Sequence, residues 1–223
     1  MTIFNMAYIK SSWGGGWQPW ANTIVYYNID NNDTTTIYDK ANSYNLTCNA
    51  SYSTDANAGR CLSLTYNTWA WLWAYIDFWT TYTVNVWFNC TWSTSGWGSV
   101  LEEWWSSSQL PRFAMYVRND PLYEFRTGSV NWNTTTTSTT WWHLYTFTRD
   151  TSWCVAYIDG IQKFTVSYSA VSYNSWSYFN LWWYVHDVWP TWLLKALIIE
   201  NTKRTAQEIS DYFNQTKSTY WIS

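Results

Sequence analysis

The sequence contains little positive charge, little glycine and no long apolar run. Only 12 of its 223 residues are Lys or Arg, and the net charge is −3. A surface that binds phosphate backbones needs clustered cations, so this scarcity argues against nucleic acid as a partner. The longest run without a charged or clearly polar side chain covers residues 69–76, which is too short for a membrane span.

The length suits one sandwich or barrel domain with a substantial core. The N-terminal segment MTIFNMAYIKSSWGGG has a single cation, Lys10, and lacks the apolar stretch of a signal peptide. We therefore expect the sequence to be part of a longer extracellular or cell-surface protein.

Four cysteines, Cys48, Cys61, Cys90 and Cys154, occur without a CxxC pair or a histidine at zinc-ligand spacing. A structural zinc site is therefore not expected. Two interpretations remain: buried, idle thiols, or one or two disulfides in an exported protein. For a disulfide, Cys48 and Cys61 are the best pair because they bracket a polar segment, 49–60.

Short segments that alternate apolar and polar residues run through the chain. The clearest are 82–91, 112–118, 142–149 and 154–159, and further strands are predicted at 23–29, 61–66, 99–103, 122–126, 162–167, 178–185 and 193–200. Polar clusters at 30–36, 93–98, 131–140 and 169–177 separate them. The pattern predicts an all-β fold, a two-sheet antiparallel β-sandwich.

Two local motifs supplement this pattern. Asp159-Gly160 joins two alternating segments, and both residue types tolerate the positive φ of a type I′ hairpin turn. Thr205 and Glu208 match a capping box, which predicts one short C-terminal helix. Its apolar stripe comprises Ile209, Tyr212 and Phe213. The stripe fits a helix docked on the sandwich, with an interaction helix as the alternative.

Several stretches occur in a characteristic order: NTIVYYNID at 22–30, TIYD at 36–39 with Asn45-Leu46, YTVNVW at 82–87, WHLYTFTR at 142–149, VAYIDG at 155–160, and LIIENT at 197–202 before TAQEISDY at 205–212. Their order and spacing resemble the laminin-G-like, concanavalin A-like jelly roll in its bacterial and phage three-part form. The resemblance implies such a domain over residues 22–217, with 1–21 as an extension or linker and 218–223 as a tail. It also implies a glycan- or protein-binding module.

Catalytic motifs are missing from the sequence. Glucanases of the same fold use a Glu-x-Asp-x-x-Glu strand with two facing carboxylates, and this chain has none. Glu102 and Glu103 are adjacent, so a strand points them to opposite faces. His186-Asp187 has no Ser or Cys in a recognisable nucleophile turn to act on, and the resemblance gives His143 a structural position. We therefore predict that the domain is not an enzyme.

An acidic cluster is the candidate metal site. Asp30, Asp33 and Asp39 lie within ten residues, beside Asn31 and Asn32. The resemblance implies one structural calcium ion held by loop carboxylates and carbonyls, although the spacing is not that of an EF-hand. Aspartates in such clusters also form turns by accepting hydrogen bonds from their own backbone, which is the alternative.

Abundant Trp, Tyr and Asn supply the rings and amides that sugar recognition uses, but abundance does not locate a site. We predict a non-enzymatic binding module for carbohydrate or another cell-surface macromolecule, such as a surface protein. The alternative is a structural or adhesive module of a fibre, pilus-like or phage tail protein with no small ligand.

The counts of 22 Trp and 8 Gly suggest a different genetic code. Some bacteria read the UGA stop codon as glycine, whereas a common alternative translation table reads it as Trp. If about 16 Trp are recoded glycines, Gly rises to about 24 and Trp falls to about six, closer to ordinary composition. Trp87 and Trp142 occupy strand positions and are predicted to be genuine. A truly Trp-rich, sugar-stacking surface is the alternative. The recoding candidates adjoin turn-forming residues: Trp69, Trp71, Trp73, Trp104, Trp105, Trp132, Trp153, Trp182, Trp183, Trp189, Trp192 and Trp221.

Overall fold

The structure, a computed structural model, describes residues 20–30, 33–42, 44–65, 68, 70–72, 81–91, 97–104, 113–118, 123–127, 130–134, 141–167, 178–181, 185–186 and 191–219. The helix in these ranges is α1 (Ala206–Thr216). The strands are β1 (Thr23–Asn28), β2 (Thr36–Ile37), β3 (Leu46–Cys48), β4 (Ser51–Asp55), β5 (Gly59–Leu64), β6 (Ala70–Leu72), β7 (Tyr82–Thr91), β8 (Trp97–Trp104), β9 (Phe113–Arg118), β10 (Tyr123–Thr127), β11 (Val130–Thr134), β12 (Trp142–Arg149), β13 (Trp153–Ile158), β14 (Ile161–Ser167), β15 (Tyr178–Leu181), β16 (Val185–His186) and β17 (Thr191–Glu200).

The strands form two antiparallel sheets. The first has the order β14-β13-β12-β7-β17-β5-β4, and β1 also pairs with β17. The second has the order β11-β10-β9-β8-β15-β6-β3-β2, and β16 also pairs with β8. This confirms the predicted all-β sandwich with a short C-terminal helix.

The main core lies between the two sheets. Because successive side chains of a strand point to opposite faces, alternate residues of β7 and β12 enter it, and the second sheet contributes its own buried side chains. Members from the first sheet include Val84, Val86, Phe88, Tyr145 and Phe147, and members from the second include Leu46, Ala70, Leu101 and Met115.

A second apolar layer covers the other face of the first sheet. Trp87 and Leu144, on the opposite face of β7 and β12, pack in one cluster with Tyr212 of α1. Trp87 also stacks on Phe213, with ring centroids 5.9 Å apart. The helix is therefore docked on the sandwich, as the apolar stripe predicts.

Both local motifs form as predicted. Thr205 caps α1: its side chain accepts a hydrogen bond from the Glu208 amide, and the Glu208 carboxylate accepts one from the Thr205 amide. Asp159 and Gly160 have φ of 54° and 74° and connect Ile158 directly to Ile161 across the β13–β14 hairpin. No helix among the described residues has the length and apolar character needed to cross a membrane.

Two segments that the sequence predicts as loops contain strands, so both predictions are wrong. The polar segment between Cys48 and Cys61 forms a hairpin, β4–β5, because a three-residue turn and Gly59 at φ 70° reverse the chain there. Cys48 faces the core between the sheets and Cys61 the cluster under α1, so the two are free thiols rather than a disulfide. The predicted spacer 131–140 contains β11, which pairs with β10.

Several tryptophans assigned to turns lie in strands instead. Trp71, Trp104, Trp132, Trp153 and Trp192 belong to β6, β8, β11, β13 and β17. Among the residues described, positive φ is confined to Gly59, Asp159 and Gly160, so Trp153 does not occupy the left-handed region expected after its turn. Trp192 is buried beside Phe88, with ring centroids 6.2 Å apart. Trp69, Trp73, Trp105, Trp182, Trp183, Trp189 and Trp221 lie outside the described residues.

Candidate ligand-binding site

A turn after β1 is organised by one buried carboxylate. Asp33 is fully buried; its Oδ2 accepts a hydrogen bond from the Asp30 amide at 2.7 Å, and its Oδ1 accepts one from the Tyr38 amide at 3.0 Å. The Asp33 backbone amide also donates to the Asp30 carbonyl. These hydrogen bonds to a buried residue fix the conformation of Asp30 and residues 33–40, which we call the Asp33 turn.

Asp39 fixes the end of this turn in the same way. Its Oδ1 accepts hydrogen bonds from the amides of Tyr26 and Ala41, both at 2.9 Å. Its Oδ2 accepts from the amides of Asn42 and Tyr44, at 3.1 and 3.2 Å. Four backbone N–H groups therefore share one carboxylate, which ties the turn to β1.

The three calcium candidates lie in adjoining turns, and each makes its own contacts. Asp33 and Asp39 accept backbone hydrogen bonds, and Asp30 pairs with the Lys40 ammonium at 2.8 Å. Within the described ranges, no group of three or more His, Cys, Asp or Glu side chains is arranged to hold a metal ion. These contacts match the turn-forming alternative, and calcium binding stays a prediction.

The outer side of the turn carries an exposed aromatic ring beside charged groups. Tyr38 is 44% exposed, and the Lys40 ammonium lies 6.0 Å from its ring centroid. Asp30, the ion-pair partner of Lys40, is also partly exposed. We call these three residues the Tyr38 surface. A ring that can stack on the C–H face of a sugar, next to hydrogen-bonding groups, suits carbohydrate recognition.

Arg60 of β5 extends this site. Its Nη2 donates to the Asp33 carbonyl at 2.5 Å, and its guanidinium carbon lies 4.1 Å from the centroid of the Tyr52 ring. The Tyr52 hydroxyl donates to the Thr34 carbonyl at 2.6 Å. Burial raises the pKa of Tyr52, so its hydroxyl keeps the proton that this hydrogen bond requires. The contacts join β4, β5 and the Asp33 turn.

Lys195 lies underneath, where β17 changes partners. The register of β17 with β7 shifts between Leu194 and Ala196, and Lys195 occupies this bulge. Its ammonium donates to the carbonyls of Ile29 at 2.6 Å and Arg60 at 3.0 Å, just beyond β1 and within β5. Burial lowers the pKa of Lys195. The cation thus holds together the two strands that support the site.

Of the residues considered for catalysis, His143 belongs to another turn. His143 pairs with Asp159 at 2.5 Å, and Asp159 also accepts from the Leu144 amide, so the pair belongs to the β13–β14 turn. Glu102 and Glu103 are consecutive residues of β8. His186 lies in β16, and Asp187 is outside the described residues.

The buried thiols are also poorly suited to chemistry. Burial raises the pKa of both Cys61 and Cys154 to about 12. Both therefore stay protonated at neutral pH, and the thiolate is the form that attacks substrates or binds metals.

The acidic residues of the site are recognisable in the sequence, whereas the roles of Tyr38, Lys40 and Arg60 are not. Tyr38 and Lys40 flank Asp39, so they lie in or next to a segment that carries the resemblance. The sequence does not predict that Arg60 and Tyr52 belong to the site, because 49–60 has the composition of a polar loop. Nothing in the sequence indicates that β17 carries a bulge at Lys195.

No protein-family model matches the sequence, and no curated protein matches it significantly. Solved structures do match its fold. The binding domain of botulinum neurotoxin DC, in complexes with SialylT and with rat synaptotagmin II, gives TM-scores of 0.69 and 0.70 at 11% and 9% identity. Trypanosoma rangeli sialidase in complex with sialic acid gives a TM-score of 0.71 at 12% identity.

The matches cover most of this chain and only part of the other proteins. They cover 86% of this chain and 51% of each neurotoxin domain, and 93% of this chain and 35% of the sialidase. At such low identity the likeness establishes a β-rich, lectin-like fold. Both binding domains and an enzyme share that fold, so the fold alone does not decide between binding and catalysis.

Proposed function

We propose that the chain is a non-enzymatic module that binds carbohydrate through the Tyr38 surface. The observation that carries the proposal is the exposed Tyr38 ring beside the Lys40–Asp30 ion pair, on a turn fixed by Asp33. The ring supplies a stacking face, and the ion pair supplies hydrogen-bond donors and acceptors for sugar hydroxyls.

The site is preorganised, which lowers the entropic cost of binding. The Asp33 carboxylate accepts a hydrogen bond from the Tyr38 amide, and the Asp39 carboxylate accepts hydrogen bonds from four backbone amides. None of the residues of the Tyr38 surface is a tryptophan, so the proposal does not depend on how UGA is read.

The structural neighbours support a binding role outside the cell. The neurotoxin domain was solved with SialylT and with synaptotagmin II, and the sialidase with sialic acid. We accordingly propose a glycan or a surface protein as the partner, an extracellular setting as part of a longer chain, and the laminin-G-like jelly roll as the fold family.

A glycan array followed by calorimetry with the strongest hit tests the proposal. Tyr38→Ala should weaken binding at least about tenfold, equivalent to about 1.4 kcal/mol, because the stacking face is lost. Tyr38→Phe should keep most of the affinity.

Ile161→Ala is the control, because it removes another exposed apolar side chain, at the start of β14, that is not a recoding candidate. It should leave the affinity unchanged. Absence of binding to every glycan would contradict the proposal and favour a structural or adhesive module. Equal losses in both alanine variants would contradict the assignment of the site.

A further inference from the structure

We propose that Arg60 gives this site a preference for acidic sugars, because its guanidinium binds the carboxylate of a sugar that lies on the Tyr38 surface. The inference rests on the proposed carbohydrate binding and adds the chemical class of the ligand. It depends on unused donors, a fixed orientation and the surrounding charge.

The guanidinium of Arg60 has most of its hydrogen-bonding capacity unused. It carries five N–H donors, and its one hydrogen bond to the described residues runs from Nη2 to the Asp33 carbonyl. Nε is buried and has no acceptor in the described part of the chain. Nη1 and the second proton of Nη2 likewise make no hydrogen bond to the described residues.

Arg60 is also a cation without an anionic partner among the residues described. The ion pair of this region joins Lys40 to Asp30 instead. The Asp33 carboxylate accepts two backbone hydrogen bonds, and Arg60 contacts the backbone carbonyl of that residue. A half-buried cation gains strongly from an added anion, because water screens it less than it screens a surface charge.

The orientation of the guanidinium is set before a ligand arrives. Tyr52 stacks on its face at 4.1 Å, and the Tyr52 hydroxyl is held by the Thr34 carbonyl. Stacking on one face leaves the edge of the planar group for a second partner. A carboxylate can accept two parallel N–H bonds at such an edge, which a neutral hydroxyl cannot do.

Lys195 adds positive charge behind Arg60. Its ammonium, which comes from β17, donates to the Arg60 carbonyl of β5 at 3.0 Å, so the Lys195 cation lies against the backbone of Arg60. The hydrogen bonds of Lys195 are directed to backbone carbonyls, and it therefore contributes potential while Arg60 makes the contact.

The same site contains the sugar platform. Asp33 connects the two parts: its carbonyl accepts from Arg60 and its carboxylate accepts from the Tyr38 amide. Asp33 thus holds both the segment that carries the stacking ring and the guanidinium that would bind the carboxylate of the same sugar. Neutral sugars would use the Tyr38 surface without a carboxylate contact to Arg60.

The test uses matched oligosaccharides that share one core: lactose, 3′-sialyllactose and 3′-sulfolactose on an array with other such sets. Calorimetry on the full chain then gives the affinity for each member of the best set. We expect the carboxylated member to bind at least tenfold more tightly than the neutral one, with a preference that shrinks as salt is raised.

Arg60→Met, which keeps the stem and removes the charge, should abolish the preference, so that the acidic and the neutral sugar bind with equal affinity. Arg60→Lys keeps the charge without the planar guanidinium and should retain only part of the preference for the acidic sugar. Lys163→Met removes an exposed cation of β14 and should change nothing. Melting temperatures report whether each variant folds.

A preference retained by Arg60→Met would overturn the inference. If neutral and acidic sugars bind with equal affinity and Tyr38→Ala abolishes that binding, the inference about Arg60 is overturned. The proposed function would remain intact. Equal binding of the sulfated and carboxylated members would show recognition of charge alone and overturn the carboxylate assignment. Binding of no sugar at all would overturn the proposed function as well.

Discussion

Gly160 shows how one residue connects the hairpin to the helix. It has φ 74°, a conformation that side chains disfavour, and a Cβ built on it would lie 3.1 Å from Ser210 Cα and 3.3 Å from Phe213 Cβ in α1. Gly59 has a similar φ of 70° and no atom within 4 Å of such a Cβ. Substitution of Gly59 therefore introduces backbone strain alone, whereas substitution of Gly160 adds a steric conflict with α1.

Gly59→Ala should lower the free energy of unfolding by about 1–2 kcal/mol through backbone strain. Gly160→Ala should cost at least about 1 kcal/mol more, because α1 must also shift to admit the methyl group. Urea unfolding of the two variants measures the difference. Equal costs would mean that α1 does not pack on the turn as described.

The aspartates illustrate what can be predicted for single residues. The sequence places Asp30, Asp33 and Asp39 in one loop, and it offers both turn formation and calcium binding as roles. The choice depends on which N–H groups the carboxylates face, and folding decides that. Asp159-Gly160 could be predicted fully because the turn type constrains φ locally.

At the scale of elements, the connection from β17 to α1 contains a buried ionic network. Glu200 is fully buried and accepts three hydrogen bonds from Arg204, the shortest at 2.6 Å. Arg204 also donates to Glu208 at 3.1 Å and lies 4.0 Å from the Trp20 ring centroid. Burial raises the pKa of Glu200 to about 7, although Arg204 acts in the opposite direction.

This network predicts a pH dependence of stability. The folded state binds a proton at Glu200 more tightly than the unfolded state, whose pKa is near the ordinary 4.5. The contribution of Glu200 to the free energy of unfolding should therefore fall as pH rises from about 4.5 to about 7 and stay level above that. Glu200→Gln should remove this component.

Urea unfolding of both proteins between pH 4.5 and 8 gives a difference curve that isolates Glu200. A difference that is constant with pH would contradict the raised pKa.

Strands with clear alternation could be predicted from the sequence, and short ones could not. The bounds of β7 and β12 agree with the prediction at every residue, because each has one face in the main core and the other under the second layer. β2, β3 and β6 have three residues or fewer and give too little periodicity. They are specified by their partners in the sheet rather than by their own residues.

For the molecule as a whole, the burial of some tryptophans bears on how UGA is read. Trp87, Trp142 and Trp192 are buried and fill volume that glycine would leave empty. Trp105 and Trp183 lie outside the described residues, in turn-rich sequence. Burial therefore argues against recoding at Trp87, Trp142 and Trp192, whereas recoding at Trp105 and Trp183 stays a prediction from their turn-rich sequence.

The coding DNA tests this hypothesis directly. We predict UGG at Trp87, Trp142 and Trp192, and UGA at Trp105 and Trp183. Mass spectrometry of the natural protein should then find glycine at the UGA positions. UGG at Trp71, Trp105, Trp153 and Trp183 together would exclude recoding and leave a truly Trp-rich chain.

Carbohydrate binding by the Asp33 turn can be observed residue by residue. The most direct measurement is a two-dimensional ¹H–¹⁵N NMR titration of the folded domain with the strongest array hit. Amide shifts should concentrate on Asp30, Tyr38, Lys40 and Arg60, with those of α1 unchanged. Saturable shifts confined to another surface, or no shifts with any glycan, would contradict carbohydrate binding at the Asp33 turn.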